Sequence, residues 1–256
     1  MPNEGVDGKP TAKRVAPARQ AIRAISLDLD DTLWPILPSI LAAERELQQW
    51  LQTHCPQVTE RFNAAQFAEL RDQVALEHPE LAHDFSAQRR LALALAIGAH
   101  PRQSELVEQA FAVFFAARNR VVLYPDTEPA LHRLARRLPI VSLSNGNADL
   151  ETIGLAQHFV ARLSARELGA AKPAAEVFAA VVDRVGVPAA AIAHVGDDPV
   201  LDVAGAKRAG LFAVWLNRER RAWPIADQPP DLEVKDLHEL SDWLEFGHIP
   251  QTRSPP

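Results

Sequence analysis

The sequence predicts an α/β protein: a Rossmann-like three-layer α/β/α core on a parallel sheet, plus an inserted all-helical cap subdomain. Three observations carry this. Beyond residue 120, short apolar runs of strand length alternate with helical segments, as buried parallel strands and their crossover helices do. A long block, residues 37–119, reads helical with no strand signal inside it. Polar, chemistry-bearing residues follow directly after the apolar runs, where open parallel sheets bind their ligands.

Residues 1–20 mix Gly, Pro, Lys, Arg and Ala without periodicity and read as a flexible tail. Residues 21–27 form the first strand. After Thr32 the pattern changes: Ile40, Leu41, Leu47 and Leu51 recur at helical spacing, as do Phe62, Phe67, Leu70 and Val74. Ala–Leu repeats fill 91–97, and a further helix over 104–118 opens with Ser104, Glu105 and Glu108. A helix over 127–137 takes Thr127 as its N-cap. Then come a β-run at 139–143, a helix over 149–155 and a strand at 159–163. An amphipathic helix over 174–185 is closed by Gly186, and a strand at 191–195 follows. A helix over 200–209, a strand at 211–216 and a last helix over 237–245 complete the core. The core is therefore 21–36 and 120–246, the cap 37–119, and 247–256 a C-terminal tail. Pro35, Pro38 and Pro125 stiffen the links at 34–38 and 119–126.

Composition narrows the function classes. The chain of 256 residues is 47% hydrophobic and 23% charged, with a formal net charge of −6. A mildly acidic chain without a clustered basic face is a poor nucleic-acid binder. One cysteine, Cys55, excludes an intrachain disulfide framework, so a reducing, cytoplasmic setting is expected. No apolar run approaches the roughly 18–20 residues of a membrane span, and residues 1–20 lack a signal-peptide core.

The chemistry collects at four strand ends. The first strand ends on Asp28, Asp30 and Asp31; the next on Ser144-Asn145-Gly146-Asn147. Lys172-Pro173 follows the third, and Gly196-Asp197-Asp198, with Asp202 beyond, follows the fourth. A carboxylate at the end of a buried strand is expensive unless something pairs with it. Clustered acids favour a hard cation with oxygen ligands, Mg²⁺ above all. A serine, a glycine turn and a lysine together cradle a phosphate.

In order and placement, Asp28-Leu29-Asp30-Asp31-Thr32-Leu33, Ser144-Asn145-Gly146, Lys172-Pro173 and Gly196-Asp197-Asp198 with Asp202 resemble the four motifs of the haloacid dehalogenase superfamily. The helical block resembles that superfamily's type 1 cap. Three further stretches resemble a bacterial subfamily acting on FMN and on 5-amino-6-(5-phospho-D-ribitylamino)uracil. These are Ser144–Ala148, His194–Asp198 with Asp202-Val203, and Pro79-Glu80 with His83-Asp84.

The resemblance implies a Mg²⁺-dependent phosphomonoesterase acting on a small organic phosphate. Asp28 is then the nucleophile, forming an aspartyl-phosphate, and Asp30 the general acid–base. The dehalogenase branch typically has no acid at that place, because a halide leaves without a proton, so Asp30 argues for a phosphatase. Asp28, the Asp30 backbone carbonyl and Asp197 would hold Mg²⁺. Ser144, with backbone N–H groups around Asn145, would bind phosphoryl oxygens, and Lys172 would neutralise the developing charge. Asp198 and Asp202 compete for a supporting role, as outer ligand or Lys172 partner. Asp31 caps the turn or supports the acids, and Thr32 hydrogen-bonds within the turn and fixes Asp30. His194 reads as packed and Arg89-Arg90 as a solvated helix face; Trp34 either lines the substrate entrance or packs. The alternatives are a 2-haloacid dehalogenase-like hydrolase, a phosphate-transferring mutase and a non-catalytic binding protein on the same fold; the oligomeric state stays open.

Overall fold

Short strands pair in parallel to make the sheet, the inner four buried on both faces and the two edge strands partly exposed. In the computed structural model, which describes residues 21–247, the strands are β1 (Ala24–Leu27), β2 (Ile140–Ser144), β3 (Ala161–Ser164), β4 (Ile192–Gly196), β5 (Phe212–Leu216) and β6 (Leu232–Val234). The expected tails, 1–20 and all but the first residue of 247–256, lie outside the described residues. The sheet order is β3-β2-β1-β4-β5-β6. The chain therefore builds outward from β1 on one side, then returns and builds outward on the other. Ligand-binding crevices form where that reversal occurs, here between β1 and β4. In register, Leu27 lies opposite Val195 and Ser142, so Asp28 leaves the sheet level with Gly196 and beside the end of β2. The edge strand β6 is too short to announce itself in sequence; Asn217 N–H donates to its Val234 carbonyl at 2.7 Å.

Helices cover both faces. Leu131 and Leu134 of α6 (Thr127–Ala135) pack with Leu237, Leu240 and Leu244 of α11 (Leu237–Phe246) against Ile25, Leu27 and Val195. On the opposite face Val177, Phe178 and Val181 of α9 (Ala175–Val185) meet Val141, Leu143 and Trp215. Each fully buried Leu, Val or Phe here contributes about 1.5–3 kcal/mol relative to exposure. That makes the expected three layers.

Between β1 and β2 the chain forms α1 (Ile36–His54), α2 (Pro56–Arg61), α3 (Ala64–Glu77), α4 (Phe85–Ile97) and α5 (Gln103–Arg118). Their apolar faces enclose a separate core that includes Leu47, Leu51, Phe67, Leu93, Phe111 and Phe114. α1 begins at Ile36, so Pro38 lies in its first turn, where a missing N–H removes no helical bond. No described helix is long and apolar enough to cross a membrane.

Three expectations are corrected. Thr127 is not the N-cap of α6: Asp126 holds that position without a side-chain cap bond, and Thr127 Oγ1 instead donates to the Leu33 carbonyl at 2.7 Å. The Asp126 carboxylate is drawn away by Arg218, at 2.9 and 3.0 Å, and by Leu237 N–H at 2.8 Å. The helix expected over 200–209 starts as a π-helical turn, Pro199–Ala204, and continues as α10 (Gly205–Arg208). Arg89 is not on a solvated face: it is buried, 3.4 Å above the Phe114 ring and 3.0 Å from Glu44, because α4 turns that side toward α1 and α5. Arg90 stacks over Phe111 and pairs with Glu108.

Candidate active site

The loop leaving β1 is tied at both ends. Asp28 N–H donates to Val195 O at 2.9 Å, Leu33 N–H to Leu29 O at 2.7 Å and Asp31 N–H to Trp34 O at 2.8 Å. Asp31 has a φ of 59°, a left-handed value that a short polar residue tolerates best. Its Oδ1 accepts from Ile36 N–H at 3.0 Å and so starts α1. Thr32 hydrogen-bonds within the turn through its backbone, its N–H donating to Leu29 O at 3.2 Å. Its hydroxyl is buried and has no partner among the described residues. The turn is also braced through the Thr32 carbonyl, which accepts from Arg218 at 2.8 Å.

Asp28, Lys172 and Asp202 are buried together. Lys172 Nζ lies 2.5 Å from Asp28 Oδ1 and 2.6 Å from Asp202 Oδ1. Asp202 also receives His194 Nε2 at 3.1 Å and Asp198 N–H at 3.1 Å. Nδ1 of His194 sits 2.9 Å from Ser26 Oγ; the network closes with the ring proton on Nε2 and Ser26 donating. Burial holds His194 below its ordinary value, which keeps the ring neutral. The Phe178 ring stands perpendicular to it, with centroids 5.1 Å apart. Gly196 makes the approach possible, since a Cβ there would stand 2.2 Å from Asp202 Cγ.

The two candidates for a supporting acid separate. Asp202 pairs with Lys172, whereas Asp198 does not reach it: its Oδ1 accepts from Val200 and Leu201 N–H at 2.7 and 2.8 Å and caps the following turn.

The Asn145 side chain holds Lys172. Its Oδ1 accepts from Lys172 N–H at 2.7 Å and its Nδ2 donates to Lys172 O at 3.0 Å, fixing the lysine's backbone at the end of β2. Ser144 Oγ accepts from Gly146 N–H at 3.0 Å.

Asp30 turns away from this group. Arg118 Nη2 donates to both its oxygens at 2.9 and 2.7 Å, and the Trp34 indole donates to Oδ1 at 2.8 Å. Trp34 is thus packed and hydrogen-bonded rather than placed at an entrance. Arg118 Nε also donates to Asn147 Oδ1 at 2.9 Å, and Asn147 Nδ2 donates to Ser86 Oγ at 3.1 Å. The last cap helix, the acid after β1 and the loop after β2 are therefore one network. Gly146 fits inside it: a Cβ would meet Asp30 Oδ2 at 2.3 Å and Ser144 Oγ at 3.2 Å.

Arg118 has no place in the sequence motifs. Its signal is its spacing: it lies seven residues after Phe111 and four after Phe114, on the face of α5 that is otherwise apolar. A charge on such a face has to find a buried partner.

The electrostatics identify what the acids lack. Burial drives Asp28 well above the ordinary carboxylate range; Lys172 opposes this, and Asp202 and Asp197 add to it. Burial, with Asp202, Asp31 and Asp198 nearby, pushes Asp197 up to about 7. Asp202 goes the other way: burial disfavours its charge, but Lys172 and His194 outweigh that and hold it below the ordinary range. Burial likewise opposes the Lys172 ammonium, yet Asp202 and Asp28 keep it above the usual lysine value. One cation therefore serves three acids. Oxygens of Asp28, Asp197 and Asp202 lie within 4.8 Å of one another. An all-oxygen set with surplus negative charge fits a hard divalent cation such as Mg²⁺.

A cavity of about 240 Å³ opens at the ends of β2 and β3; Leu29, Ser144 and Gly146 line it, while Asp28, Lys172, Asp197 and Asp202 do not. Phe85, Ser86 and Phe115 of the cap face Ser144, Gly146 and Asn147 of the core across it, and Asp84 bridges to Arg166 at 3.4 Å. It has the dimensions of a small organic ligand.

Comparison with known proteins gives consistent matches. A family model described as haloacid dehalogenase-like hydrolase matches residues 22–210. The 5-amino-6-(5-phospho-D-ribitylamino)uracil phosphatase YigB of Escherichia coli is 32% identical over 231 residues, covering 87% of this chain and 96% of that protein. A phosphoserine phosphatase of Thermus thermophilus is 40% identical over 157 residues, or 59% of this chain and 61% of its own. Among solved structures, a 2-haloacid dehalogenase from Pseudomonas syringae superposes with a TM-score of 0.83 at 36% identity, over 88% of this chain and 98% of the other.

Proposed function

The chain belongs to the haloacid dehalogenase-like hydrolase family, and from that premise we propose that it is a Mg²⁺-dependent phosphomonoesterase working through an aspartyl-phosphate. The observation that carries this choice over a dehalogenase is Asp30. Its carboxylate is held by Arg118 and Trp34 beside Gly146, in the loop that starts at Ser144. Carbon–halogen cleavage expels a halide that needs no proton, whereas an ester expels an alkoxide that does. An acid kept in place by two donors supports the second chemistry.

Each residue then has a task. Asp28, oriented by the 2.5 Å contact to Lys172, attacks phosphorus and forms the acyl-phosphate. Asp30 protonates the departing alkoxide, then takes a proton from the water that attacks the acyl-phosphate. Ser144 Oγ–H and the Gly146 loop bind phosphoryl oxygens, while Lys172 spreads positive charge over the transferring group. Asp202, satisfied by His194 and the Asp198 amide, keeps Lys172 protonated and in place. Asn145 fixes the backbone from which Lys172 projects. Asp28 and Asp197, with the Asp30 carbonyl, would hold the Mg²⁺, which supplies the charge that lets an anionic ester approach an anionic nucleophile.

The phosphatase relatives favour a small phosphate substrate, and FMN and 5-amino-6-(5-phospho-D-ribitylamino)uracil head the panel to be tried. The expected result is phosphate release in Mg²⁺, abolished by EDTA and by Asp28→Asn. Full activity in Asp28→Asn would refute the mechanism. Halide release from a 2-haloacid without added metal, and no phosphate release, would select the dehalogenase reading that the Pseudomonas syringae structure keeps in play.

A further inference from the structure

The cap holds a second polar cavity, which the chemistry above leaves unused. It measures about 260 Å³ and lies among α1, α3, α4 and α5. Two guanidinium groups line it, Arg71 and Arg89. Both lean on one carboxylate oxygen: Arg71 Nη1 is 2.7 Å and Arg89 Nη2 3.0 Å from Glu44 Oε1. A single acceptor atom cannot satisfy two forks of five donors each. Accordingly, Arg89 Nη1 and Arg71 Nε are buried and have no hydrogen-bond partner among the described residues.

Arg89 is 8% exposed, and the Phe114 ring 3.4 Å beneath it fixes its plane. Burial, opposed by Glu44, lowers its guanidinium to about 10. That is a cation with too little acceptor around it. The exposed Asp72 also lines the cavity, whereas Glu44 does not, so two arginines and one aspartate leave the lining with one surplus positive charge. What is missing is acceptor oxygen rather than negative charge alone. Ile40 and Phe114 supply apolar wall.

This cavity adjoins the first one. Phe85 and Asn147 line both, and the first contains Ser144 and Gly146. Phe85 and Asn147 thus stand between the Ser144 end of the first cavity and the arginines of the second. The geometry points to a head-group subsite: Arg89 and Arg71 receive a planar group with paired acceptor oxygens, an imide or a carboxylate, at the end of the substrate remote from its phosphate. A guanidinium edge matches that O–X–O spacing. The identification of the ligand as substrate rests on the phosphatase reading; the acceptor site does not.

The test is calorimetric, in Mg²⁺, on the full chain carrying Asp28→Asn so that no turnover intervenes. The probes are FMN, which bears an imide, phosphoserine, which bears a carboxylate, and phenyl phosphate, which bears neither. The expected result is that FMN or phosphoserine binds at least about tenfold tighter than phenyl phosphate, and that adding Arg71→Gln or Arg89→Lys cuts this ratio to about threefold or less. The probe that gains and then loses affinity identifies imide or carboxylate. Arg71 is half-buried and makes one ion pair, so Arg71→Gln remains informative where Arg89→Lys does not fold. A ratio near one before the second substitution, or one that survives it, overturns the subsite. Phosphate release by the unsubstituted chain judges the phosphatase reading separately: tight, arginine-dependent binding without release would sink that reading and leave the subsite standing.

Discussion

Arg118→Met isolates the contact that sequence motifs do not contain. The substitution keeps an unbranched apolar stem in a site 1% exposed and removes three donor contacts, two to Asp30 and one to Asn147. Among the described residues, the Asp30 carboxylate then keeps only the Trp34 indole. A general acid–base group contributes about a hundredfold to ten-thousandfold, and misplacement of about 1 Å costs about a hundredfold. We therefore expect kcat on an alkyl phosphate to fall about a hundredfold, a barrier increase of about 2.7 kcal/mol. On p-nitrophenyl phosphate, whose phenolate leaves with little protonation, the loss should be about tenfold or less. Stability should also fall. Breaking a buried pair costs about 3–5 kcal/mol, and the 20% exposure of Asp30 places this one at or below the lower bound. Steady-state kinetics on both esters, with thermal unfolding to verify the fold, make the comparison. Asp30→Asn combined with Arg118→Met should lose no more on the alkyl ester than Asp30→Asn alone. Equal losses on the two esters, or additive losses in the double variant, would show that Arg118 merely supports the fold.

The other perturbations act at neighbouring points. Gly146→Ala places a methyl 2.3 Å from an Asp30 oxygen that Arg118 already holds, so kcat should drop at least tenfold and stability by about 1–3 kcal/mol, read from turnover and melting. Asp197→Asn removes an oxygen donor from the acid cluster and should raise the Mg²⁺ concentration for half-maximal phosphate release at least about tenfold; an unchanged titration would remove Asp197 from the metal set. Asp126 supplies a pH dependence. Burial disfavours its charge, but Arg218 and Leu237 N–H outweigh this and hold its carboxyl below the ordinary range. A depressed folded value means stabilisation present above the unfolded value of about 3.9 and lost as pH falls through the folded one. The denaturant-measured stability difference between wild type and Asp126→Asn should thus shrink from pH 6 toward pH 3; a constant difference would refute the assignment.

How far the sequence could be read depended on whether a residue's partner was local. The strands at 139–143, 191–195 and 211–216 were legible because each is a short apolar run buried on both faces. β6 was not, since three residues at a sheet edge carry no period. Thr127 sits beside the right boundary, yet Asp126 takes the cap position because Arg218, 92 residues on, engages its carboxylate. Arg89 looked solvated because the helix alone does not reveal that Phe114 and Glu44 pack onto it.

The same division runs through the candidate site. The sequence by itself determined the α/β class, the insertion after the first strand and the grouping of Asp28, Asp30, Ser144 and Asp197 at strand ends; Lys172 instead lies beyond a helical turn, Ala165–Leu168, that follows β3. Parallel strands put whatever follows them at one edge, so order and spacing suffice for that. Only the tertiary structure decided how those side chains divide. Asp202 rather than Asp198 meets Lys172; Asn145 clamps Lys172 across 27 residues; Arg118 reaches Asp30 across 88. The Thr32 hydroxyl has no partner among the described residues, while Arg218, 186 residues away, braces its carbonyl. These pairings depend on the directions in which side chains leave packed elements, a property of the assembled core and cap that no local pattern encodes.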